Sequence, residues 1–272
     1  GTWNYDPTTG LIVFTPEAGF TSDPTPLEYK LTETQTGLSD TATITVTYVM
    51  HAPIAYNDLS SGNPVNTAVT VNPLANNGSG VDADPDGTID PSTVRLLSPT
   101  GATAIVTDSK GITSFDVPNE GKWSVNPVTG AITFTPLPTF HKDPTPIQYN
   151  VKDNDGNLSN NARVTIDYVP VAANDRNTTP GTPGSPVALN VSGNDTAGDT
   201  VDVSTVELDA SSVFGGIQVS PREVSVVGVG SWIADAAGNV TFTPETGYTI
   251  DPPVINYTIK DNQGNSSNVA TI

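Results

Sequence analysis

The sequence predicts an all-β protein of tandem immunoglobulin-like (Ig-like) β-sandwich domains, arranged as an extended rod. One long motif occurs three times along the 272 residues. The recognisable segments alternate apolar and polar residues, as strands do in a sheet with one buried face. Thr, Ser, Asn, Pro and Gly separate them, and no window has the i, i+3, i+4, i+7 spacing of an amphipathic helix.

The motif begins with a hairpin that contains every tryptophan of the chain. Trp3, Trp123 and Trp232 occupy the same place in copies that lie more than 100 residues apart. A repeat of that length is a whole domain, because solenoid units are roughly 20–50 residues long. In the first copy, Pro7 and Gly10 supply the two backbone conformations that the turn of the hairpin needs.

Two further strands complete the back half of the repeat. The first follows an Asp-Pro segment and carries Tyr29, Tyr149 or Tyr257, where the tyrosine corner of an Ig sandwich would lie. A polar turn comes next, and the last strand alternates over residues 42–48 and 162–168. About seven such strands per repeat is the pattern of an Ig-like sandwich.

The front half of the repeat recurs as well, which sets the domain boundaries. Asn-Asp pairs open two copies, and both continue to an Asp-x-Ser-Thr-Val strand. We therefore predict the C-terminal half of a repeat over residues 1–50 and a complete Ig-like repeat over residues 51–169. Residues 170–272 form a repeat truncated in its last strand. Since both ends cut through a repeat, we expect a longer repetitive chain.

Composition argues against several functional classes. Without cysteine, the chain has no disulfide, thiolate metal site or cysteine nucleophile. The net charge of −19 argues against a nucleic-acid partner. No run of 18 apolar residues exists, so we expect no membrane contact in this segment. The two histidines, His51 and His141, do not recur between copies, and we predict that the chain is not an enzyme.

One acidic loop is a candidate calcium site. Three alternating carboxylates precede Gly87 and a fourth follows, and this pattern is like the first half of a loop that wraps oxygen ligands around Ca²⁺. The four are Asp82, Asp84, Asp86 and Asp90. Thr93 stands where a complete loop has a bidentate Glu. The alternative is an acidic surface turn, with Asp90 accepting backbone N–H bonds.

The repeated motif resembles a known family. Residues 121–156 read G-x-W-x-x-x-P-x-T-G-x-I-x-F-T-P, then F-x-x-D-P-T-P-I-x-Y, then D-x-x-G. This is similar to the CshA-type fibril repeat of bacterial surface adhesins, and to bacterial Ig-like and cadherin-like tandem repeats. The resemblance covers the whole chain and departs most in the third copy, where Asn194-Asp195 replaces Asn76-Asn77.

The resemblance implies a function and a second candidate site. It implies an extracellular, cell-surface stalk that spaces an adhesive tip from the cell, with neighbouring repeats and neighbouring fibres as partners. Cadherin-like arrays also hold calcium between domains. The candidates for such inter-domain calcium are Asn57, Asp58, Asp155, Asn174 and Asp175. The alternative is that Asn-Asp starts the first strand of each repeat.

Two other functions stay open at this stage. The repeats themselves could bind a glycan or protein ligand, with the tryptophans as a stacking platform. Exposed tryptophans would favour this, whereas packing in the sandwich core would count against it. The chain could also be an accessory region of a secreted enzyme.

Overall fold

The computed structural model describes residues 1–20 and 22–272, which are almost entirely β-structure. A single turn of 3₁₀-helix, Ala210–Ser212, is the only helical element in these residues. None of them forms a helix long and apolar enough to cross a membrane. The predicted all-β, Ig-like architecture is confirmed.

Residues 1–50, called the first unit, consist of two separate antiparallel hairpins. These pair β1 with β2 and β3 with β4, over Thr2–Tyr5, Ile12–Thr15, Leu27–Thr32 and Ser39–Ile44. Trp3, Ile12, Leu27 and Tyr29 line an open groove of about 320 Å³ between them. The first unit therefore presents the apolar face of two hairpins without a second layer of described residues over it.

Residues 51–169, called the middle domain, contain nine strands in one continuous sheet. The strand order is β5-β13-β12-β7-β9-β10-β11-β6, with β8 paired to β9. The strands β5 to β13 span Asp58–Asn63, Val69–Val71, Ile89–Leu97, Thr103–Asp108, Gly111–Val117, Gly121–Val125, Ile132–Pro136, Ile147–Asp153 and Ala162–Tyr168. A single pair, Leu96 with Ile112, joins the two halves of the sheet, which fold over one core.

Residues 170–272, called the last domain, are a two-sheet sandwich. One sheet has the order β14-β19-β18-β17-β16 and the other β15-β20-β21. The strands β14 to β21 span Val187–Asn190, Val201–Asp209, Gly216–Ser220, Glu223–Val226, Gly230–Ala234, Asn239–Pro244, Asn256–Asp261 and Ala270–Thr271. The counts of nine and eight strands exceed the seven expected, because each domain carries extra strands ahead of its tryptophan hairpin.

Each of the two domains has its own aromatic core. Trp123 and Tyr149 are fully buried in the middle domain, and Trp232 and Tyr257 are at most 2% exposed in the last one. In every copy the tryptophan packs against the phenylalanine that faces it across the hairpin. The ring centroids are 5.0 Å apart for Trp3–Phe14, 4.9 Å for Trp123–Phe134 and 4.7 Å for Trp232–Phe242.

The first and last strands of the middle domain run in parallel. Val164 in β13 lies opposite Asp58 in β5, and Tyr168 lies opposite Asn63. The chain therefore enters this domain at the end where β13 begins and leaves it at the other end. At about 3.3 Å per residue, the seven residues of β13 separate the two points by roughly 20 Å.

Candidate functional site

The carboxylates that sequence singled out lie near the points where one domain follows another. We call the surroundings of His51 and Asp155 the first junction, where the first unit meets the middle domain. The second junction is where the middle domain meets the last one, around Asp143 and Asp199. In each of the two domains, the side chain of an asparagine forms hydrogen bonds with the backbone at the point where the chain enters the domain. Asn160 bonds both backbone groups of Ala55, at 3.0 and 2.8 Å; Asn268 does the same for Ala172, at 3.0 and 2.9 Å.

Asp82 of the acidic loop turns into the middle domain, away from solvent. Its Oδ1 accepts the amide of Tyr56 at 2.7 Å, and its Oδ2 accepts the hydroxyl of Tyr149 at 2.7 Å. The residue is 6% exposed, and this burial raises the pKa of its carboxyl. Asp82 therefore ties the acidic loop to Tyr149, the tyrosine that the repeated motif has in its penultimate strand.

Asp58 is buried beside the same tyrosine and is 3% exposed. Its Oδ1 accepts Asn77 Nδ2 at 2.8 Å, whereas its Oδ2 is buried without a hydrogen-bond partner. Burial, with a smaller contribution from the charge of Asp82, raises the pKa of Asp58 to about 6. In the last domain, Asp175 and Asp195 accept the hydroxyl of Tyr257 in the same way. These carboxylates belong to domain interiors.

Other candidates have local structural partners. Asn57 Oδ1 accepts the amide of Arg163 at 2.8 Å, and Asn174 Oδ1 accepts that of Thr271 at 2.9 Å. Each amide therefore ties the start of its domain to the last strand. Asp90 Oδ1 accepts the amide of Ser92 at 2.9 Å, the turn contact that sequence offered as the alternative to a metal.

Asp84, Asp86 and Asp155, which sequence assigned to two different sites, come together at the first junction. A Cβ on Gly87 would lie 2.5 Å from Asp84 Oδ2 and 3.8 Å from Asp155 Oδ2, so both oxygens face the same glycine. Asp84 Oδ2 is buried without a hydrogen-bond partner. Asp86 Oδ2 lies 3.0 Å from His51 Nδ1 and accepts the His51 amide at 2.8 Å.

Two carboxylates, those of Asp84 and Asp155, each have an oxygen facing Gly87. Within residues 1–20 and 22–272, no group of three or more His, Cys, Asp or Glu side chains has the arrangement of a metal site. Ca²⁺ takes six to eight oxygens and accepts backbone carbonyls and water among them. Asp84 and Asp155 fit such a site as two of its ligands.

The second junction has a carboxylate cluster that sequence reasoning missed. It contains Asp143, Asp167, Asp199 and Asp261. Burial raises the pKa values of Asp143, Asp167 and Asp199, and the charges of neighbouring carboxylates raise them further. A signal was present in the motif, since Asp143 belongs to the recurring Asp-Pro segment and Asp261 to the recurring Asp-x-x-Gly turn. Asp167 and Asp199 have no such recurrence, and only folding brings the four together.

The tryptophans do not form a stacking platform in the two domains. Trp123 is fully buried and Trp232 is 2% exposed. Their rings pack on Phe134 and Phe242 inside the sandwich. No face of either indole is therefore offered to a sugar ring.

Family models match most of the chain. Residues 53–171 match the model described as the surface adhesin CshA repetitive domain, and residues 167–272 match the model of a bacterial Ig domain. A comparison with curated proteins finds no match.

The comparison with solved structures gives only distant similarities. The ectodomain of human desmocollin-1 is 11% identical over 99% of this chain, with a TM-score of 0.24, and the chain spans 50% of its length. The D00-D0 domain of intimin is 12% identical over 81% of this chain and 98% of its own, with a TM-score of 0.30. The endo-fucoidan hydrolase MfFcnA4 is 14% identical over 100% of this chain and 36% of its own, with a TM-score of 0.24. Values this low carry no argument about function.

Proposed function

We propose, from the premise that residues 53–171 are a CshA-type adhesin repeat and residues 167–272 a bacterial Ig domain, that this chain is part of a stalk. The stalk belongs to a large bacterial cell-surface adhesin and spaces an adhesive tip from the cell. In this role the repeats are extracellular and perform no catalysis. Their partners are the neighbouring repeats of the same chain and neighbouring fibres.

The parallel pairing of β5 with β13 is the observation that carries the proposal. Because the chain enters the middle domain at one end and leaves it at the other, each added domain extends the array in one direction. The asparagine hydrogen bonds at Ala55 and Ala172 fix the chain as it enters each domain. The net charge of −19 favours solubility of the stalk.

Small-angle scattering of the chain tests the proposal. A compact globule of this length would have a radius of gyration of about 18 Å, whereas a row of domains would exceed that by roughly half. A compact value would overturn the stalk. Specific binding of glycans or matrix proteins by the repeats themselves would instead favour a binding module.

A calcium ion at the first junction is a second part of the proposal. Asp84 and Asp155 would hold it beside Gly87, and its charge would satisfy the buried Asp84 Oδ2 that lacks a partner. Asp86 lies next to this pair but already accepts the His51 amide. We leave out Asp82, Asp90, Asn57, Asp58, Asn174 and Asp175, whose oxygens serve the domain interiors and turns. When bound, the ion would supply positive charge that stiffens the joint.

A further inference from the structure

Two side-chain hydrogen bonds close the second junction. Gln263 Nε2 donates to Asp143 Oδ2 at 2.7 Å, and Asn265 Nδ2 donates to Asp167 Oδ1 at 2.8 Å. Both donors lie in the turn after β20 of the last domain. Both acceptors belong to the middle domain, Asp143 ahead of β12 and Asp167 within β13. The two domains are therefore joined by side-chain hydrogen bonds as well as by the linker.

A loop of the last domain packs directly on the linker. The amide of Asp199 donates to the carbonyl of Val169 at 3.3 Å. A Cβ on Gly198 would lie 2.4 Å from the backbone nitrogen of Val171, so only glycine allows this approach. The close contact carries the carboxylate of Asp199 into the junction.

The junction thus buries a group of carboxylates that differ in their hydrogen-bond donors. Asp261 Oδ1 accepts the amides of Gln263 and Asn265, whereas Asp199 has no side-chain hydrogen bond among the described residues. Asp167, Asp199 and Asp261 are 6%, 7% and 2% exposed, and Asp143 is half-buried. Asn265 Nδ2 bridges Asp167 to Asp261, where its distance to Oδ2 is 2.8 Å. No side-chain donor among the described residues approaches Asp199, which has only the backbone amides of Asp143 and Thr200 nearby.

Burial and like charge act together on this cluster. Burial, followed by the charges of Asp199, Asp167 and Asp261, raises the pKa of Asp143 to about 6. Burial also raises the pKa values of Asp167 and Asp199, with Lys142 opposing the rise at Asp199. Other titratable or charged groups on the segments that meet here are His141, Arg163, Tyr168, Asp195, Asp202, Tyr257 and Lys260.

Most of these groups have partners outside the cluster. Lys260 Nζ pairs with Glu207 Oε1 at 2.7 Å, and Tyr168 OH donates to the carbonyl of Thr67 at 2.8 Å. Asp195 accepts the hydroxyl of Tyr257 inside the last domain. His141 Nδ1 is buried without a partner. Lys142 is the cation whose charge opposes the rise in the pKa of Asp199.

We propose that the second junction is a proton-dependent joint, closed while the group of Asp143, Asp167 and Asp199, beside Asp261, holds a proton and loosened when those three are ionised. Opening the joint returns these groups to water, where they ionise at lower pH. The closed joint therefore binds protons more tightly than the open one, and acid favours closure. That advantage is lost as the pH rises from about 4 through about 6.

The consequence for the stalk is a bending stiffness that falls as the surroundings become neutral. The first junction provides an internal contrast, because Thr47 of the first unit, just after β4, occupies in the repeated motif the place that Asp167 has in β13. The consequence rests on the proposed function, whereas the joint itself rests on the contacts at residues 143, 167, 199 and 261.

Nuclear magnetic resonance of the whole chain tests the joint. Residual dipolar couplings give the alignment of each domain separately, and ¹³C shifts of the aspartate carboxyls give the titration of the cluster. Below about pH 5 we expect the middle and last domains to share one alignment. Above about pH 7 we expect the alignments to diverge, with Asp143 titrating near pH 6.

The key variant is Asp199→Asn, which removes one charge from the side chain that has no side-chain donor. We expect the Asp143 midpoint to fall by about one pH unit and the two domains to stay aligned at neutral pH. The matched control is Asp251→Asn, since Asp251 is exposed and occupies in the last domain the place in the motif that the half-buried Asp143 has in the middle one. This control should behave as wild type.

Two results would contradict the proposed proton-dependent joint. One is an alignment of the two domains that does not change with pH, and the other is an alignment with the same pH dependence in wild type and Asp199→Asn. Either could occur while scattering still shows a row of domains, so the joint can fail without the stalk. Scattering that shows a compact globule at every pH would instead contradict the proposed stalk.

Discussion

Gln263 of the last domain donates a hydrogen bond to Asp143 of the middle domain, with 2.7 Å between Nε2 and Oδ2. The corresponding residue in the turn of the middle domain is Asp155, which has no proton to donate when ionised. The same turn therefore brings an amide to the second junction and a carboxylate to the first. This difference is why we propose proton-dependent closure at one junction and a cation at the other.

Replacing a core tryptophan should unfold its own domain. Trp123 is fully buried in one core and Trp232 lies in a separate one. We expect Trp123→Ala to lower the free energy of unfolding of the middle domain by about 3–5 kcal/mol. Urea denaturation followed by domain-resolved NMR measures this. The last domain should keep its midpoint, and Val128→Ala, at a 75% exposed site, should change stability by less than about 0.5 kcal/mol.

The hydroxyl of Tyr149 should contribute to the stability of the middle domain. It donates to Asp82 Oδ2 at 2.7 Å in the buried network. Tyr149→Phe leaves that oxygen without its donor, and we expect a loss of about 1–3 kcal/mol in the middle domain. Tyr5→Phe is the matched control, because Tyr5 is 64% exposed. Equal denaturation midpoints for the two variants would contradict the role of the hydroxyl.

Stability of the middle domain should depend on the protonation of Asp58. Folding raises its pKa from 3.8 to about 6, so the folded domain holds the proton more tightly. This group therefore favours folding below about pH 4, and the contribution is lost as the pH rises to about 6. The loss is about 3 kcal/mol.

Asp58→Asn isolates that contribution. The difference in unfolding free energy between variant and wild type should grow in favour of the variant from pH 4 to pH 7. Urea denaturation across this range gives the difference directly, and Asp251→Asn at an exposed position provides the baseline. A constant difference would mean that Asp58 does not titrate with folding.

Sequence predicted the elements that repeat and missed those that do not. The hairpin of Trp123, the strand of Tyr149 and the alternating β13 all recur, and each was placed correctly. Strands β8 and β9 were missed because the corresponding strands of the last domain, β16 and β17, share no recognisable motif with them. The acidic loop was recognised as a unit, yet Asp82 turns inward to a tyrosine 67 residues away. Spacing alone carries no information about such a contact.

Asn160 should hold the start of the middle domain. It bonds the amide and the carbonyl of Ala55, and its place after a serine recurs at Asn268. Asn160→Ala leaves both backbone groups without that partner, so we expect a loss of about 1–3 kcal/mol. Hydrogen exchange at the Ala55 amide should speed up. Asn161→Ala, at the exposed neighbouring position, should leave that exchange rate unchanged.

Removing calcium should destabilise the middle domain at the first junction. Binding to the folded state alone adds about 2.7 kcal/mol at a calcium concentration 100 times the dissociation constant, so chelator should lower the unfolding temperature. Asp84→Asn should abolish this difference, because it removes the oxygen that lacks a partner beside Gly87. Asp90→Asn should preserve it, since Asp90 serves a turn with Ser92. Identical melting curves with calcium and with chelator, or equal loss in both variants, would leave no place for the ion at this junction.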